Sequence, residues 1–315
     1  MLSFEDRRIV VTGAAGLVGQ NLIPRLKQRG CRHIVAIDKH PANTRTLARL
    51  HPDITIIEAD LAEPGDWQDA FAGADTLVLN HAQIGAIHEA PFLRNNITAT
   101  ETVLAAAKRH GIGTVVHMSS SVVNSIAHDF YTESKKAQEA LVVANGLPVC
   151  VLRPTLMFGW FDRKHLGWLA RFMRRMPLFP VPGSGRYLRQ PLYVGDFCDI
   201  IIAAIERPRP GEAFNITGQQ SIDYIDLIRA VKTAVGAKAA IVRIPYSLFW
   251  LLLTIYALFD RNPPFTTKQL EALVTPDVFE VIDWPGLFGV TPTPLAEALT
   301  TTFRDPTYAT IELEF

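Results

Sequence analysis

The chain has 315 residues and a mass of 34.9 kDa, with 31 basic and 31 acidic side chains. Hydrophobic residues make up 48% and charged residues 20%, which is typical of a globular protein and excludes a disordered or coiled-coil chain. At roughly 150 residues per domain, this length predicts about two domains or one large α/β unit. A formal net charge of zero argues against a general polyanion binder, so nucleic acid is not an expected partner.

The three cysteines, Cys31, Cys150 and Cys198, lie far apart and show no spacing typical of a metal site or a disulfide framework. We therefore expect no metal and a reducing, cytoplasmic environment. The apolar run Ile9–Val11 near the beginning is too short for the core of a signal peptide.

Short apolar runs alternate with segments of helical spacing through the first half of the chain. The predicted strands are Arg8–Val11, His33–Ile37, Ile54–Ile57, Thr76–Leu79, Thr114–His117 and Val149–Leu152, and the predicted helices are Leu17–Arg29, Ile97–His110 and Tyr131–Val143. Continuous apolar strands that alternate with helices predict a parallel sheet buried on both faces. Right-handed crossovers make this a doubly wound sheet.

The character of the chain changes after Pro154. Basic and aromatic residues crowd Trp160–Arg175, and prolines and glycines then cluster as far as Gly185. This pattern predicts loops and an excursion on the substrate side. We predict a dinucleotide-binding domain over residues 1–160 and a smaller, mostly α-helical, substrate-binding domain over 161–315, with 187–218 returning to the first domain through Gln190–Val194 and Ala213–Ile216.

One strongly apolar segment, residues 244–259, reads IPYSLFWLLLTIYALF and falls short of the ~20 residues that span a bilayer. Two interpretations stay open. We expect a buried helix of the second domain. The alternative is a helix in a membrane interface, with Tyr246, Trp250 and Tyr256 at the level of the headgroups, which predicts peripheral membrane contact.

A glycine-rich turn, Thr12-Gly13-Ala14-Ala15-Gly16-Leu17-Val18-Gly19, joins the first predicted strand to the first helix. Backbone N–H groups at a helix start are unpaired, and together with the helix dipole they favour a pyrophosphate. Gly13 permits the tight turn, Gly16 lets phosphates approach the backbone, and Gly19 lets helix and strand pack closely. The pattern predicts a dinucleotide site, with a ligand-free glycine turn as the alternative.

Carboxylates follow the second and third predicted strands. Asp38 is placed to accept hydrogen bonds from the ribose hydroxyls of adenosine and to repel a 2′-phosphate, which predicts NAD rather than NADP. The nearby cations Lys39 and Arg45 weaken that preference. Asp60, followed by Leu61, is placed either to meet the adenine amino group or to cap a helix.

Tyr131 and Lys135 are predicted to share one face of a helix, because residues i and i+4 are neighbours. An adjacent ammonium lowers the pKa of a tyrosine from about 10 toward neutrality, as a general base for a hydroxyl proton requires. An isolated pair of this kind more often marks an ordinary amphipathic helix. Here the fifth predicted strand ends in Ser119-Ser120-Ser121, at the sheet edge where ligands bind, so a serine hydroxyl is expected to bind the substrate oxygen.

Taken together, these motifs resemble those of the extended short-chain dehydrogenase/reductases, in their NAD-dependent epimerase/dehydratase group. The similarity runs from about Arg8 to about Phe303. The matching segments are residues 12–19 (TGAAGLVG), Asp38, Asp60-Leu61, Asn96-Ile97-Thr98-Ala99-Thr100, Ser121, Tyr131 with Lys135, Arg153-Pro154 and Tyr193-Val194-Gly195-Asp196. The resemblance implies a Rossmann-type fold, NAD as cofactor and a homodimer formed through Ile97–His110 and Tyr131–Val143.

On this resemblance, Ser121, Tyr131 and Lys135 are the predicted catalytic residues, and Ser120 and Arg189 are the predicted substrate contacts. Arg189 resembles the arginine that grips a nucleotide-sugar pyrophosphate, with a surface salt bridge as the alternative. The predicted cofactor contacts are Gly13, Ala15, Gly16, Leu17, Val18, Gly19, Asp38, Asp60, Leu61, Asn80, His81, Ala82, Asn96, Tyr131, Lys135 and Pro154.

The first functional hypothesis is an NAD-dependent oxidoreductase or epimerase that acts on a secondary alcohol of a nucleotide sugar. Tyr131 takes the hydroxyl proton while hydride passes to the nicotinamide. A 4,6-dehydratase is not expected, because Val122-Val123 stands where that branch carries an Asp-Glu pair. The alternatives are a hydroxysteroid- or lipid-type dehydrogenase at a membrane surface and a non-catalytic, nucleotide-binding scaffold subunit.

Overall fold

The computed structural model describes residues 4–126, 128–259, 266–275 and 279–314. The strands are β1 (Arg8–Thr12), β2 (His33–Asp38), β3 (Thr55–Glu58), β4 (Thr76–Leu79), β5 (Thr114–Met118), β6 (Val149–Pro154), β7 (Met157–Phe158), β8 (Leu178–Pro182), β9 (Leu188–Arg189), β10 (Leu192–Tyr193), β11 (Ala213–Ile216), β12 (Ile222–Asp223) and β13 (Ala240–Ile244). The helices are α1 (Leu17–Gln28), α2 (Pro41–Leu50), α3 (Ala90–Phe92), α4 (Ala99–Arg109), α5 (Phe130–Ala144), α6 (Leu166–Arg175), α7 (Val194–Glu206), α8 (Tyr224–Val235), α9 (Tyr246–Phe259), α10 (Thr267–Val274), α11 (Trp284–Phe288) and α12 (Leu295–Arg304).

Seven parallel strands form the main sheet in the order β11-β6-β5-β4-β1-β2-β3. The order reverses between β1 and β4, so the carboxyl ends of these two strands open a crevice. The predicted Rossmann-type, doubly wound parallel sheet is confirmed.

The inner strands are largely apolar because both faces of the sheet are covered. Ile9, Val10 and Val11 are consecutive and fully buried. Ile9 and Val11 belong to the core beneath α1 and α7, whereas Val10 belongs to the core beneath α4. A strand buried on both faces shows no polar alternation, which is the pattern that the sequence displays.

The segment after residue 187 contributes to both halves of the molecule. Helix α7 packs against α1, and β11 pairs with β6 as an outer strand of the main sheet. Strand β10, however, pairs with β7 in a separate two-stranded sheet, and β9 pairs with β12. The predicted Gln190–Val194 strand therefore does not return to the main sheet, whereas Ala213–Ile216 does.

Helices α6, α8 and α12 surround a second apolar core on the substrate side. Its fully buried members include Val181, Ile228 and Leu299. Beside it, β8 and β13 form a two-stranded parallel sheet that leads directly into α9.

The expectation of a buried helix over the apolar segment is wrong. No residue of α9 is buried, and Leu252, Leu258 and Phe259 are 49%, 79% and 86% exposed. Length and composition predict a helix here, but they do not show whether a core covers it. Among the described residues, no helix combines the length and apolar character needed to cross a bilayer.

Candidate active site

The glycine-rich corner between β1 and α1 has the shape that a phosphate cradle requires. Gly13 has φ +62°, and a Cβ on it would lie 2.7 Å from His81 Cα. A Cβ on Gly19 would lie 2.4 Å from the Ala14 carbonyl oxygen. Gly16 is the N-cap of α1, no side chain caps this helix, and its first turn carries no acidic residue. The N–H groups there are thus left to an anion.

Asp38 is held against this corner at the end of β2. Its Oδ2 accepts a hydrogen bond from Ala15 N at 2.9 Å, and its Oδ1 accepts from His40 N at 3.0 Å. Each carboxylate oxygen keeps a second lone pair, so both can still accept from ribose hydroxyls.

Asp60 lies in a cluster of charges beyond β3. It accepts a hydrogen bond from Ala62 N and forms ion pairs with Arg94 at 3.1 Å and Lys39 at 3.9 Å. Burial raises the pKa of Asp60, but the hydrogen bonds from Ala62 N–H and Arg94 outweigh it, so the net pKa is lowered. Asp60 stabilises the turn after β3 and does not cap a helix, and Leu61 beside it is buried.

The loop after β4 closes the other side of the crevice. Asn80 donates from its backbone N–H to Thr12 Oγ1 and from its side-chain amide to the Gly13 carbonyl. His81 is buried, and its ring nitrogens bond Thr12 Oγ1 at 2.9 Å and Thr100 Oγ1 at 3.1 Å. Asn80 and His81 therefore fix the geometry of the glycine-rich corner, and Ala82, which follows them, is exposed.

Asn96 lies in a π-helical segment, Leu93–Thr98, that precedes α4. Its Oδ1 accepts from Gln83 N at 2.6 Å, and its amide donates to Ser134 Oγ at 2.9 Å. Asn96 thus links the loop after β4 to Ser134 on α5, the residue that precedes Lys135.

Of the three serines that follow β5, Ser120 is the one whose side chain interacts with the Tyr131 phenol. Burial raises the pKa of the Tyr131 phenol, while a hydrogen bond with the Ser120 side chain lowers it and the Asp129 charge adds to the increase. The net pKa is raised, so the expectation of a pKa near neutrality is not what the structure gives. Ser121 is half-buried and begins a 3₁₀ turn.

Lys135 is buried and faces a neutral partner. Its Nζ donates to Gln138 Oε1 at 2.5 Å and to the Met118 carbonyl at 3.0 Å. Burial lowers the pKa of Lys135 to about 7, and the charge of Glu139 opposes that shift. Lys135 is not among the groups that shift the pKa of Tyr131. Burial therefore remains the largest influence on the pKa of Tyr131.

A partly buried ion pair joins α5 to β6, and it involves a carboxylate, Glu139, that the sequence did not predict to be part of the site. Arg153 donates to Glu139 from both Nε and Nη2, and Ser119 Oγ donates to the same carboxylate at 2.5 Å. Burial raises the pKa of Glu139, but the hydrogen bonds from Arg153 and Ser119 outweigh the effect of burial. The net pKa of Glu139 is therefore below the ordinary value. The sequence signal was available: Glu139 lies four residues beyond Lys135 on the same helical face.

The remaining predicted residues divide between the corner and the substrate side. Leu17 and Val18 form the first turn of α1, and Pro154 ends β6 at the same sheet edge. The guanidinium of Arg189 lies over the Tyr187 ring and donates to the carbonyls of Leu273 and Thr275, at the end of α10. Neither of its two predicted roles describes these contacts.

The sequence profile of the NAD dependent epimerase/dehydratase family matches residues 9–217. The chain belongs to the NAD-dependent epimerase/dehydratase family. It is therefore an NAD-dependent enzyme of the extended short-chain dehydrogenase/reductase type, as its motifs predicted.

Several curated members of the family are similar to this chain. A dTDP-glucose 4,6-dehydratase from Actinoplanes sp. is 27% identical, over 74% of this chain and 83% of the relative. A 2-alkyl-3-oxoalkanoate reductase from Stenotrophomonas maltophilia is 28% identical, over 90% of this chain and 94% of the relative.

Solved structures of the family share the fold. A UDP-glucuronic acid 4-epimerase from Bacillus cereus, in complex with NAD, superimposes with a TM-score of 0.71 at 21% identity, over 93% of this chain and 94% of the other. A UDP-glucose 4-epimerase from Thermotoga maritima gives a TM-score of 0.74 at 18% identity, over 94% and 97%.

The residues present fit the family's NAD cofactor. The crowding at Gly13 leaves no space for a side chain, the start of α1 lacks any acidic group, and Asp38 is fixed beside the corner. Pyrophosphate would lie against Gly16–Gly19 and the adenosine ribose against Asp38.

Proposed function

We propose that the protein oxidises a secondary alcohol of a nucleotide sugar, with Tyr131 as the proton-transfer group. The observation that carries this proposal is that the half-buried Tyr131 phenol, in the first turn of α5, interacts with the Ser120 side chain, which lowers the pKa of the phenol. Ser120 follows the carboxyl end of β5, at the sheet edge where open α/β sheets bind their ligands, and Tyr131 is the second residue of α5.

Bound NAD would supply the hydride acceptor. Tyr131 takes the proton of the substrate hydroxyl, and the Ser120 hydroxyl, with Ser121 beside it, holds the substrate oxygen. Because burial raises the pKa of Tyr131, the phenolate needs a stabilising cation. Lys135 does not lower that pKa in this structure, so the proposal requires Lys135, four residues on, to stabilise the phenolate once substrate and NAD are bound. In an epimerase the ketone would take back both the hydride, on its other face, and the proton, so no reduced cofactor is released, whereas a dehydrogenase releases NADH.

The nucleotide-sugar substrate is supported by several relatives whose names specify dTDP- or UDP-sugars. Loss of water is not part of the proposal. Val122 and Val123 follow Ser121, and neither carries an acid that would protonate a leaving hydroxyl.

Arg189 is proposed as the contact for the substrate phosphates, although a phosphate would compete with carbonyls of the α10 end. Arg189→Gln is expected to raise KM for the nucleotide sugar with kcat unchanged. A lower melting temperature with unchanged KM would instead assign Arg189 to holding α10.

The proposal is tested with purified protein, NAD and a panel of UDP- and dTDP-sugars. Absorbance at the NADH band detects a dehydrogenase, and chromatography of the sugar products detects an epimerase. Binding of NAD with no product from any alcohol would contradict the proposal and favour the scaffold alternative.

The oligomeric state is proposed from the family resemblance, and the location from the cysteines. We propose a homodimer through α4 and α5, because α5 exposes the apolar side chains Ala137, Ala140 and Val143. Light scattering should give twice the chain mass, and Val143→Glu should lower the measured mass toward that of one chain.

The three cysteines are free thiols, which fits the proposed reducing cytoplasm.

A second candidate function is favoured by α9. Its 14 residues carry no charge and expose apolar side chains around most of its circumference, such as Tyr246, Leu251 and Ile255. A protein partner covers one face of a helix, whereas lipid covers every face. At about 1.5 Å per residue the helix reaches about 21 Å, short of the ~30 Å hydrocarbon core, so it would enter one leaflet.

Charge near the helix agrees with a lipid partner. Lys238 and Arg243 precede α9 and are exposed, and residues 237–259 contain no acidic side chain. Such a flank is attracted to anionic headgroups. The substrate would then be an apolar alcohol or ketone, a class that the name of the 2-alkyl-3-oxoalkanoate reductase also suggests for that relative.

Flotation with vesicles of phosphatidylcholine and phosphatidylserine tests this candidate. The protein should float with the vesicles, and the double substitution Leu252→Glu with Leu258→Glu should abolish flotation. Ile87→Glu is the control, because Ile87 is 89% exposed in the loop between β4 and α3. Absence of flotation, with a helix-dependent dimer in solution, would make a second copy the occupant of α9.

A further inference from the structure

A buried chain of hydrogen bonds beneath α5 ends at Lys135. Lys135 Nζ donates to Gln138 Oε1 at 2.5 Å and to the Met118 carbonyl at 3.0 Å. The Gln138 amide nitrogen donates to Thr100 Oγ1 at 2.9 Å and to the His81 carbonyl at 3.3 Å. Thr100 and Gln138 are fully buried and Lys135 is nearly so, which means that water does not compete for these bonds.

The partners of Gln138 fix the orientation of its amide. A carbonyl only accepts, so the amide nitrogen must face the His81 oxygen. The amide oxygen is then directed at Lys135, which as an ammonium has donors and no acceptor. Gln138 therefore offers Lys135 a neutral acceptor that cannot turn away without breaking two other hydrogen bonds.

The same reasoning sets the tautomer of His81. The Thr12 hydroxyl donates to the Val78 carbonyl, so it accepts from His81 Nδ1–H. His81 Nε2 then accepts from the Thr100 hydroxyl, which in turn accepts from Gln138. Burial, together with the charges of Lys135 and Lys39, lowers the pKa of His81 to about 3. The ring therefore carries one proton at neutral pH, as this hydrogen-bond pattern requires. The hydrogen-bond chain runs unbroken from the glycine-rich corner to Lys135.

We propose that Gln138 is a positioning residue, which holds the Lys135 amino group with a neutral hydrogen bond and ties it to the nucleotide-binding corner through Thr100 and His81. This inference rests on the proposed function, in which Lys135 acts on Tyr131. A carboxylate at this position would fix the charge of Lys135, whereas the amide places the group without fixing its charge.

The charged and titratable groups around Lys135 come from several elements. Glu139 lies on α5 and is paired with Arg153 on β6. His117 on β5 and His81 after β4 both have pKa values lowered by burial, so neither adds a positive charge at neutral pH. Glu139 is thus the neighbouring group that favours a charged Lys135. The same carboxylate also forms the ion pair with Arg153.

Two substitutions of similar length test the proposal. Gln138→Glu adds a negative charge and should raise the pH at which Lys135 titrates by about one unit or more. Gln138→Met removes the hydrogen-bond acceptor of Lys135, which disfavours the ammonium form. This substitution should therefore lower the pH at which Lys135 titrates. The titration is followed by NMR of protein labelled with ¹³C at lysine Cε, without cofactor or substrate, with the signal assigned through Lys135→Met.

Opposite shifts in the two variants support the proposal, and the alkaline limb of kcat/KM should move in the same directions. An unchanged titration, or shifts of one sign in both variants, would overturn it. If Gln138→Met does not fold, the direction given by Gln138→Glu still decides. Lys136→Met, on the exposed side of α5, is the matched control. Opposite NMR shifts without any NAD-dependent turnover would leave this inference standing and reject the proposed function.

Discussion

Asp38 Oδ2 accepts a hydrogen bond of 2.9 Å from the backbone N–H of Ala15, which ties the end of β2 to the glycine-rich corner. The same carboxylate is therefore positioned for a ribose before any ligand binds. Asp38→Ala should weaken NAD binding at least tenfold, because bonds to a charged acceptor contribute about 1.5–3 kcal/mol each. Calorimetry measures the affinity.

Glu58→Ala is the control for this prediction, since Glu58 is exposed and lies opposite Asp38 in the strand register. It should leave the affinity unchanged. Equal binding of NAD and NADP by the unaltered protein would contradict the role given to Asp38.

Gly13→Ala should abolish NAD binding and destabilise the fold. A side chain at φ +62° is strained by about 1–2 kcal/mol, and its Cβ would also collide with the His81 backbone. Gly111→Ala separates the two effects, because Gly111 has φ +70° with nothing within 4 Å of the new Cβ. Thermal unfolding should show a smaller loss for Gly111→Ala, with NAD binding kept. Equal losses in the two variants would show that the close approach at Gly13 is unimportant.

Arg153→Met should reduce the free energy of unfolding at neutral pH by more than the contribution of a surface pair, about 1 kcal/mol, and by less than that of a fully buried one, about 3 kcal/mol, because it removes the charged partner of the Glu139 carboxylate. The pKa of Glu139 is lowered in the fold, so the pair stabilises above the ordinary pKa of 4.5 and loses its effect as the pH falls through the folded value. Urea unfolding at pH 7 and pH 4 should therefore give a larger difference from the unaltered protein at pH 7.

Arg186→Met is the comparison for that measurement. Arg186 pairs with Asp223 on the surface, where its side chain is 57% exposed, and such pairs contribute at most about 1 kcal/mol. If Arg153→Met lowers the free energy of unfolding no more than Arg186→Met does, the Arg153–Glu139 pair is not an important stabilising contact.

The main sheet was predictable because each strand is a short apolar run between helical segments. Thr76–Leu79 has the bounds that the sequence gives, and Tyr131–Val143 differs from α5 by one residue at each end. The π-helical turn around Asn96 was not predictable, because its hydrogen bonds to Gln83 and Ser134 bring together residues distant in sequence.

The site was predictable to the level of its motifs and not of its contacts. A run of three serines does not reveal which hydroxyl reaches Tyr131, because that depends on how the chain turns after β5. The roles of Gln138 and Glu139 depend on what lies beneath α5. The exposure of α9 depends on the absence of a covering element among the described residues, which composition does not encode.

The most direct test of the central claim is the single-turnover rate of NADH formation by Tyr131→Phe, measured at saturating NAD with the best substrate of the panel. The variant should be about 10²–10⁴ times slower than the unaltered protein, with its NAD affinity preserved and with Tyr246→Phe, on the exposed helix α9, unaffected. An equal rate in Tyr131→Phe would show that this phenol does not transfer the proton.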